Sequence, residues 1–450
     1  MLTEPSPDLT DRLVRAVIAK DAEAVRARLE QGAAPDTPGP DGLPLLCTAV
    51  AGLDHRTAEL LVDAGADQDR DLPDGSTPLL RAVDTGSPAL VRAVLGDEPR
   101  LRLPEAARHR LLDRARHWHE TGAVEELRRR TGATGPVVVR RIDESDGDTL
   151  DELSLGGLTV RNGHGAVLTA LEWSFVLFPP VEVVMARAVP GAEAGDSNWF
   201  AASYFLGRRQ GPRVWSELTA LRNRPDPVHR RFLASVLEIR NLFVPLYRRP
   251  EMSRDADFLA DWALDEPDGH VLAAVLDVYS GHEHPDREAV GLRHVAHPEP
   301  DVRAEAAFCL SEERTARSEA ATTALLGLVR DPDPGVRLTV AQVFAPRFTA
   351  DGRLEPAIRD ALVLLVRDEA RSVRRRAAAS LALSEDRSVP VLDALLSLLD
   401  EEDPDLRLEG AYALALRDDP RAALAAERVG PLDVFSEHDP RVFAVWRYLA

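Results

Sequence analysis

The sequence predicts an all-α fold built as two successive helical-repeat solenoids with a short β-containing connector between them. Two periodicities and the composition carry that expectation. Asp41-Gly42 and Asp74-Gly75 stand 33 residues apart, as do Gly32-Ala33 and Gly65-Ala66. That spacing is typical of stacked two-helix units, each closed by a tight turn. Downstream, Val271, Val302, Val336, Val373, Leu406 and Val442 follow one another at 31, 34, 37, 33 and 36 residues, each just behind an acidic or Pro-rich turn. Hydrophobic residues make up 44% and aromatic residues only 5%, with Ala, Leu and Val dominant, which suits helices packed closely through small side chains. Such chains present long surfaces rather than one enclosed chamber, so a binding scaffold is the first functional expectation.

From Leu9 to about Pro99, short amphipathic segments alternate with Gly, Asp and Pro turns, and three units are visible. In the second, Gly52-Leu53-Asp54 interrupts the pattern before residues 57–62 resume it, so the unit holds two short helices. A fourth, degenerate unit is expected over 104–132, turning at Gly122. Between Gly132 and Gly165 the helical signal stops. Val137-Val138-Val139 and Leu158-Thr159-Val160 there flank an acidic run at 143–148, which fits a short hairpin or an ordered connector at the joint of the two stacks, with the acidic run as a solvated turn. Helices are expected again at 166–175, 181–188, 199–208, 214–222 and 228–242, and from Asp255 the paired rhythm is regular. The boundaries read from this pattern are 1–133, 134–165 and 166–450.

The quoted motifs resemble two repeat families. Thr77-Pro78-Leu79-Leu80, Pro44-Leu45-Leu46-Cys47 and Leu61-Val62-Asp63-Ala64-Gly65-Ala66-Asp67 are similar to the opening and closing motifs of ankyrin repeats, with Leu80 where His is usual. Residues Pro300-Asp301-Val302-Arg303, Asp333-Pro334-Gly335-Val336-Arg337, Ser372-Val373-Arg374 and Asp403-Pro404-Asp405-Leu406-Arg407 resemble the turn-and-helix signature of HEAT-like repeats. In that signature Asp or Ser caps the helix, Pro suits its first turn, and Val, Ala and Leu face the neighbours. Arg303, Arg337, Arg374 and Arg407 are then expected to form a ladder to acidic or carbonyl groups of the adjacent repeat. The ankyrin resemblance implies contact through turn tips and first helices. It nominates Thr48, Ser76, Arg81, Asp84 and Thr85 as exposed partner-binding residues.

Charge excludes some function classes and suggests another. The net charge of −20 opposes general binding to nucleic acid or anionic membrane. Its distribution is uneven: residues 100–141 hold 11 Arg against 5 acidic residues, whereas 251–301 hold 13 acidic residues against 3 Arg. Arg128, Arg129 and Arg130 are therefore further candidates for a partner of complementary charge. Cys47 and Cys309 are far apart and in apolar surroundings, Met1-Leu2-Thr3-Glu4-Pro5 does not resemble a leader, and no run approaches the ~20 apolar residues needed to span a bilayer. A cytoplasmic protein is expected.

No catalytic, cofactor or metal residue is nominated. His282-Glu283-His284 with His294 and His297 has no zinc-ligand spacing and reads as solvated loop histidines. HEAT-like enzymes that hydroxylate a modified lysine carry paired His-Glu motifs, but the matching places here are Ala304-Glu305 and Arg375-Arg376. The acidic run lacks the Gly and closing Glu of a calcium loop, and there is no phosphate-binding Gly-rich loop or nucleophile elbow. The functional expectation is a non-catalytic protein–protein scaffold or adaptor. The alternative is a nucleic-acid-directed HEAT-like protein such as a DNA base-excision enzyme, using Trp199, Tyr204 and Trp215 with Arg208, Arg209 and Arg213.

Overall fold

The computed structural model describes residues 7–145, 148–192, 195–243, 249–311, 317–345, 354–431 and 438–449. Met1–Ser6, and Asp146 and Gly147 of the acidic run, lie outside them. Among the described residues the fold is all-α apart from one small three-stranded sheet. By packing, the chain divides into two compact units, Met1–Phe243 and Val244–Ala450.

The first unit opens with three helical hairpins: Pro7–Ala19 with Ala22–Glu30, Leu45–Ala51 with His55–Asp63, and Pro78–Asp84 with Pro88–Leu95. Each hairpin turns through a left-handed residue, Lys20, Leu53 and Gly86, at φ of 56°, 56° and 67°. These positions repeat at 33 residues, as the Gly and Asp positions do. The next side chain then caps the second helix: Asp21 accepts from the Ala24 N–H, Asp54 from Thr57 and Ser87 from Leu90. The lone lysine, Lys20, donates to the Gly52 carbonyl at 2.7 Å and ties the first turn to the second. A short helix, Pro99–Arg102, leads to the fourth pair, Glu105–Thr121 and Ala123–Thr131, which turns at Gly122 (φ 84°).

The connector is a meander of three antiparallel strands, β1 (Val138–Ser145), β2 (Asp148–Leu155) and β3 (Leu158–Arg161), in the order β1-β2-β3. The two β-branched runs lie in β1 and β3, which are not partners; both pair with β2, which lies between them. Gly156 and Gly157, at φ of 59° and 83°, make the two-residue hairpin turn between β2 and β3. The sheet rests on the Ala123–Thr131 helix through a small core that includes Trp118, Leu127, Leu153, Leu155 and Val160. It does not separate two stacks. The His164–Ser174 helix packs directly on Glu105–Thr121, and the buried core of the first hairpins continues through Val167, Leu168, Leu171 and Phe175. The unit ends with Val181–Ala188, Ser197–Gly207, Pro212–Thr219 and Pro227–Phe243.

The acidic run is not a solvated turn throughout. Glu144, 8% exposed, accepts from Ser87 Oγ, from the Ala89 N–H at 3.2 Å and from Arg161 Nη1 at 2.8 Å. It thus sits at the N-terminus of the Pro88–Leu95 helix, where a carboxylate is favoured, and pins the sheet to the third hairpin. Backbone bonds reinforce the join, from the Arg161 N–H to the Thr85 carbonyl at 2.7 Å and from Gly163 to Gly86 at 3.0 Å.

In the second unit, one row of helices comprises Gly269–Ser280, Pro300–Cys309, Pro334–Val343, Arg371–Ala382, Pro404–Leu416 and Pro440–Trp446. The other comprises Arg249–Asp265, Arg287–His294, Glu319–Leu328, Pro356–Leu365, Val389–Ser397 and Ala422–Val429. Asp268, Asp333, Asp403 and Asp439 cap helices of the first row. The periodic Val302, Val336, Val373 and Leu406 are fully buried, with Ala307, Ala341, Ala378 and Ala411 allowing close helix contact.

The arginine ladder forms as the sequence predicts. Arg303 makes a bidentate pair with Asp331 at 2.7 and 2.8 Å, and Arg337 makes another with Asp368 at 2.7 and 2.8 Å. Arg374 reaches Glu401 at 3.3 Å, and Arg407 reaches the Val429 carbonyl at 3.2 Å. Every rung also donates from Nη1 to the carbonyls five and six residues before it, such as Pro332 and Asp331 for Arg337. Arg230 in the first unit makes the same two bonds, to Pro225 and Arg224. Its Asp226-Pro227-Val228-His229-Arg230 segment matches Asp333-Pro334-Gly335-Val336-Arg337 in Asp, Pro and Arg, with the Val moved by one. Arg230 is thus a rung of the same kind, with His229 in place of the Val that precedes Arg303, Arg337 and Arg374.

Candidate functional site

The first unit holds a cleft of about 650 Å³ between the third hairpin, the Glu105–Thr121 helix and β3. At its centre is Asp84, the last residue of the Pro78–Asp84 helix. Trp118 Nε1 donates to its carboxylate at 2.6 Å, Arg130 Nη2 at 2.8 Å, and Arg114 Nη1 to both oxygens at 3.1 and 3.2 Å. These donors lie 30, 34 and 46 residues from Asp84, so only the stacking of the hairpins brings them together. Trp118, 1% exposed, stacks on the buried His164 ring at 4.5 Å and 4°, and the Arg130 guanidinium lies 4.5 Å from the indole centre. Burial pushes His164 down to about 4, which keeps the stacked imidazole neutral near pH 7.

A second carboxylate organises the basic helix. Glu126 has no exposed surface and accepts from Arg129 at 2.6 and 2.7 Å, from Arg130 at 2.8 Å and from His117 at 3.1 Å. The Arg129 bonds hold its carboxyl well below the usual range, with Arg130 and His117 adding to the effect against burial. Asp74, at the tip of the turn before the third hairpin, is lowered to about 2 by bonds from the Ser76 hydroxyl and N–H. Arg81 spans these groups, donating from Nε to Ser76 at 3.0 Å and from Nη2 to Asp74 at 3.0 Å.

The cleft gathers Ser76, Arg81, Asp84, Thr85 and Arg130 from the nominated residues. Thr48, Arg128 and Arg129 do not line it. Two expectations need correction. Thr85, expected on the surface, is 8% exposed because its hydroxyl turns back to the Ala82 carbonyl and its own carbonyl takes the sheet. Asp84 is structural as well as accessible, so replacing it removes the partner of three donors. The sequence pattern does not single out Trp118 or Arg114, because nothing local links the Glu105–Thr121 helix to Asp84; it does give β3, as the Leu158-Thr159-Val160 run, but not its place beside this helix.

Other candidates resolve differently. His282 and His294 are buried, not solvated, at 3% and 8% exposure. His294 contacts the Ala263 carbonyl at 3.0 Å, and His284 bridges Tyr279 and Asp257 at 2.9 and 3.0 Å. Burial raises the Glu305 carboxyl to about 7, with Asp277 and Asp301 adding to it, but no group of three potential ligands forms a metal site among the described residues. Of the residues named for a nucleic-acid face, Arg209 is buried against the Pro179 carbonyl, Arg208 donates to Tyr204, and Arg213 pairs with Glu217. In the second unit, a groove of about 640 Å³ is lined by Arg371, Arg375, Arg376, Arg441 and Glu409. Arg371, Arg375 and Arg441 there are paired with Asp403, Asp405 and Glu409. No helix among the described residues is long and apolar enough to cross a membrane.

No family model matches this chain, and no curated protein matches it. Among solved structures it is similar to the Escherichia coli protein YibA, at 17% identity over 57% of this chain and 88% of that one, with a TM-score of 0.40. Human deoxyhypusine hydroxylase aligns at 14% identity over 60% of this chain and 94% of that one, with a TM-score of 0.24. Kap121p bound to Pho4p aligns at 12% identity over 98% of this chain, with a TM-score of 0.39, and this chain spans 52% of its length. These likenesses assign no partner and no activity to the chain.

Proposed function

We propose that the chain is a protein-interaction scaffold that opens in ankyrin-like repeats and continues in HEAT-like repeats, with the small sheet set beside the first stack, binding a protein partner along its repeat surfaces. The observation that carries this reading is the Asp84 cleft. It is open, it joins apolar walls to three arginines and two aspartates, and its charged groups are held in place by Trp118, Ser76 and the hairpin stack. Specific protein recognition requires an apolar core bordered by fixed charges of this kind. The two cysteines are buried free thiols, in keeping with a reducing compartment such as the cytoplasm.

The test is affinity capture from native lysate with the full chain and with Arg81→Glu, followed by mass spectrometry. Arg81 donates to Ser76 and Asp74 with its side chain 30% exposed, so its reversal should lower the melting temperature only modestly, as loss of a partly exposed ion pair does, and remove at least one captured partner. Capture identical to that of the unsubstituted chain would overturn the assignment of this surface.

A further inference from the structure

The strand that forms one wall of the cleft has an open edge. β3 pairs with β2 on one side only, with Leu158 opposite Leu155, Thr159 opposite Ser154, Val160 opposite Leu153 and Arg161 opposite Glu152. In an antiparallel pair, alternate residues turn their N–H and C=O groups toward the partner strand and away from it. The two-residue Gly156-Gly157 turn makes Leu158 and Leu155 a hydrogen-bonded pair, so Leu158 and Val160 face β2. Arg161 shows the opposite phase directly, since its N–H leaves the sheet and donates to the Thr85 carbonyl. Thr159 shares the phase of Arg161. Its N–H and C=O are therefore directed away from β2, on the edge that borders the cleft.

An unpaired strand edge is a template for another extended chain, and folded proteins normally cover or shorten it. Here the third hairpin covers the Arg161 end and leaves Thr159 open. Charge on the opposite wall selects what fits. Arg81 uses Nε and Nη2 internally, Arg114 uses Nη1, and Arg130 uses Nε and Nη2. Each guanidinium thus keeps at least one N–H-bearing nitrogen without a protein partner among the described residues, and a guanidinium can engage carboxylate through several nitrogens. Leu80 and Leu158 supply apolar surface between the edge and these cations.

We propose that an extended acidic peptide segment of the partner docks in this cleft by strand addition, pairing its backbone with Thr159 and directing a carboxylate to Arg81, Arg114 and Arg130. The inference rests on the scaffold reading and specifies its binding mode. Main-chain pairing supplies affinity, while the charged wall and the apolar patch read alternate side chains. This also gives the small sheet a role that helix stacking alone does not require.

The test uses the full chain and a phage-displayed library of random linear peptides. Recovered peptides should be rich in Asp or Glu within an alternating apolar pattern, and calorimetry should show binding weakened by added salt. Thr159→Pro deletes the outward N–H at an edge position that tolerates proline, and should lower affinity roughly tenfold. Thr159→Val, which keeps the backbone, should remain within about twofold of the parent chain. N-methylation of the peptide at the pairing residue should match the Thr159→Pro loss without touching the protein. Failure to recover any peptide that binds the chain would overturn strand addition. So would peptides that bind Thr159→Pro normally and tolerate N-methylation at every position. If either happens while Arg81→Glu still abolishes lysate capture, the scaffold reading stands and only the binding mode is wrong.

Discussion

The second unit repeats one arginine arrangement, which the first carries at Arg230 beside a different one. In the second, each rung obeys a local rule: a turn, a helix start, and an arginine that bonds the carbonyls just behind it and a group about one repeat ahead. In the first, Arg114, Arg130 and Trp118 converge on one carboxylate, Asp84, from different helices. A ladder distributes stability over many similar contacts, as expected of stacked repeats. A hub concentrates it at one place, and there the surface gains fixed charges beside an open cleft. The contrast separates arginines that hold repeats together from those that also face solvent and can act on a partner.

Breaking a strong rung should have the largest effect. Arg337 and Asp368 are 7% and 9% exposed at their side chains, so Arg337→Ala strands a buried carboxylate and should cost about 3–5 kcal/mol. Hydrogen exchange should show the loss across the helices of the second unit, with the first unit unchanged. Equal loss in both units would refute independent packing.

Next is the join of sheet and stack. Gly86 is left-handed, and a Cβ there would meet the Arg161 carbonyl oxygen and the His164 ring. Gly86→Ala should therefore cost about 3 kcal/mol through backbone strain and overpacking. Exchange protection of β3 should fall first; unchanged protection there would show that the join is not a close-packed contact.

The hub should also respond to pH. The neutral His164 in the fold becomes an ordinary histidine on unfolding, so the unfolded chain binds more protons between about pH 6.5 and 4. Stability of the first unit should thus fall as pH drops through that window, by up to roughly 3 kcal/mol. The low-shifted Asp74 and Glu126 act at lower pH, and His55 and His119, also lowered, contribute in the same direction as His164. His164→Gln should flatten the slope measured by thermal melts between pH 6.5 and 4.5. An unchanged slope would remove His164 from the account.

The smallest effect is expected at the weak rung. Arg374 meets Glu401 at 3.3 Å with side chains 18% and 31% exposed, so Arg374→Ala should cost only about 1 kcal/mol. A loss equal to that of Arg337→Ala would mean that the backbone carbonyl bonds, common to both, dominate the ladder.

Much of the fold was readable because its determinants are local. The turn at Gly122, the buried Val336 and the Arg303 rung each follow from residues within one repeat of their partners. The candidate site was only half readable. Ser76, Arg81 and Asp84 share one turn and helix, so their closeness follows from repeat position. Trp118 and Arg114 lie on a later helix, and β2 was obscured because its charged side chains hid the alternation that ends in Leu153 and Leu155.

By itself the sequence determined the period, the helix starts and the arginine ladder, since caps, turns and helical spacing act over a few residues and stacking repeats them. Only the tertiary structure decided that the sheet lies beside a continuous core, that Glu144 is a buried anchor and that Asp84 gathers three distant donors. Those outcomes depend on which surfaces meet after the hairpins stack, and on the need of each carboxylate withdrawn from water to find donors wherever the packed chain supplies them.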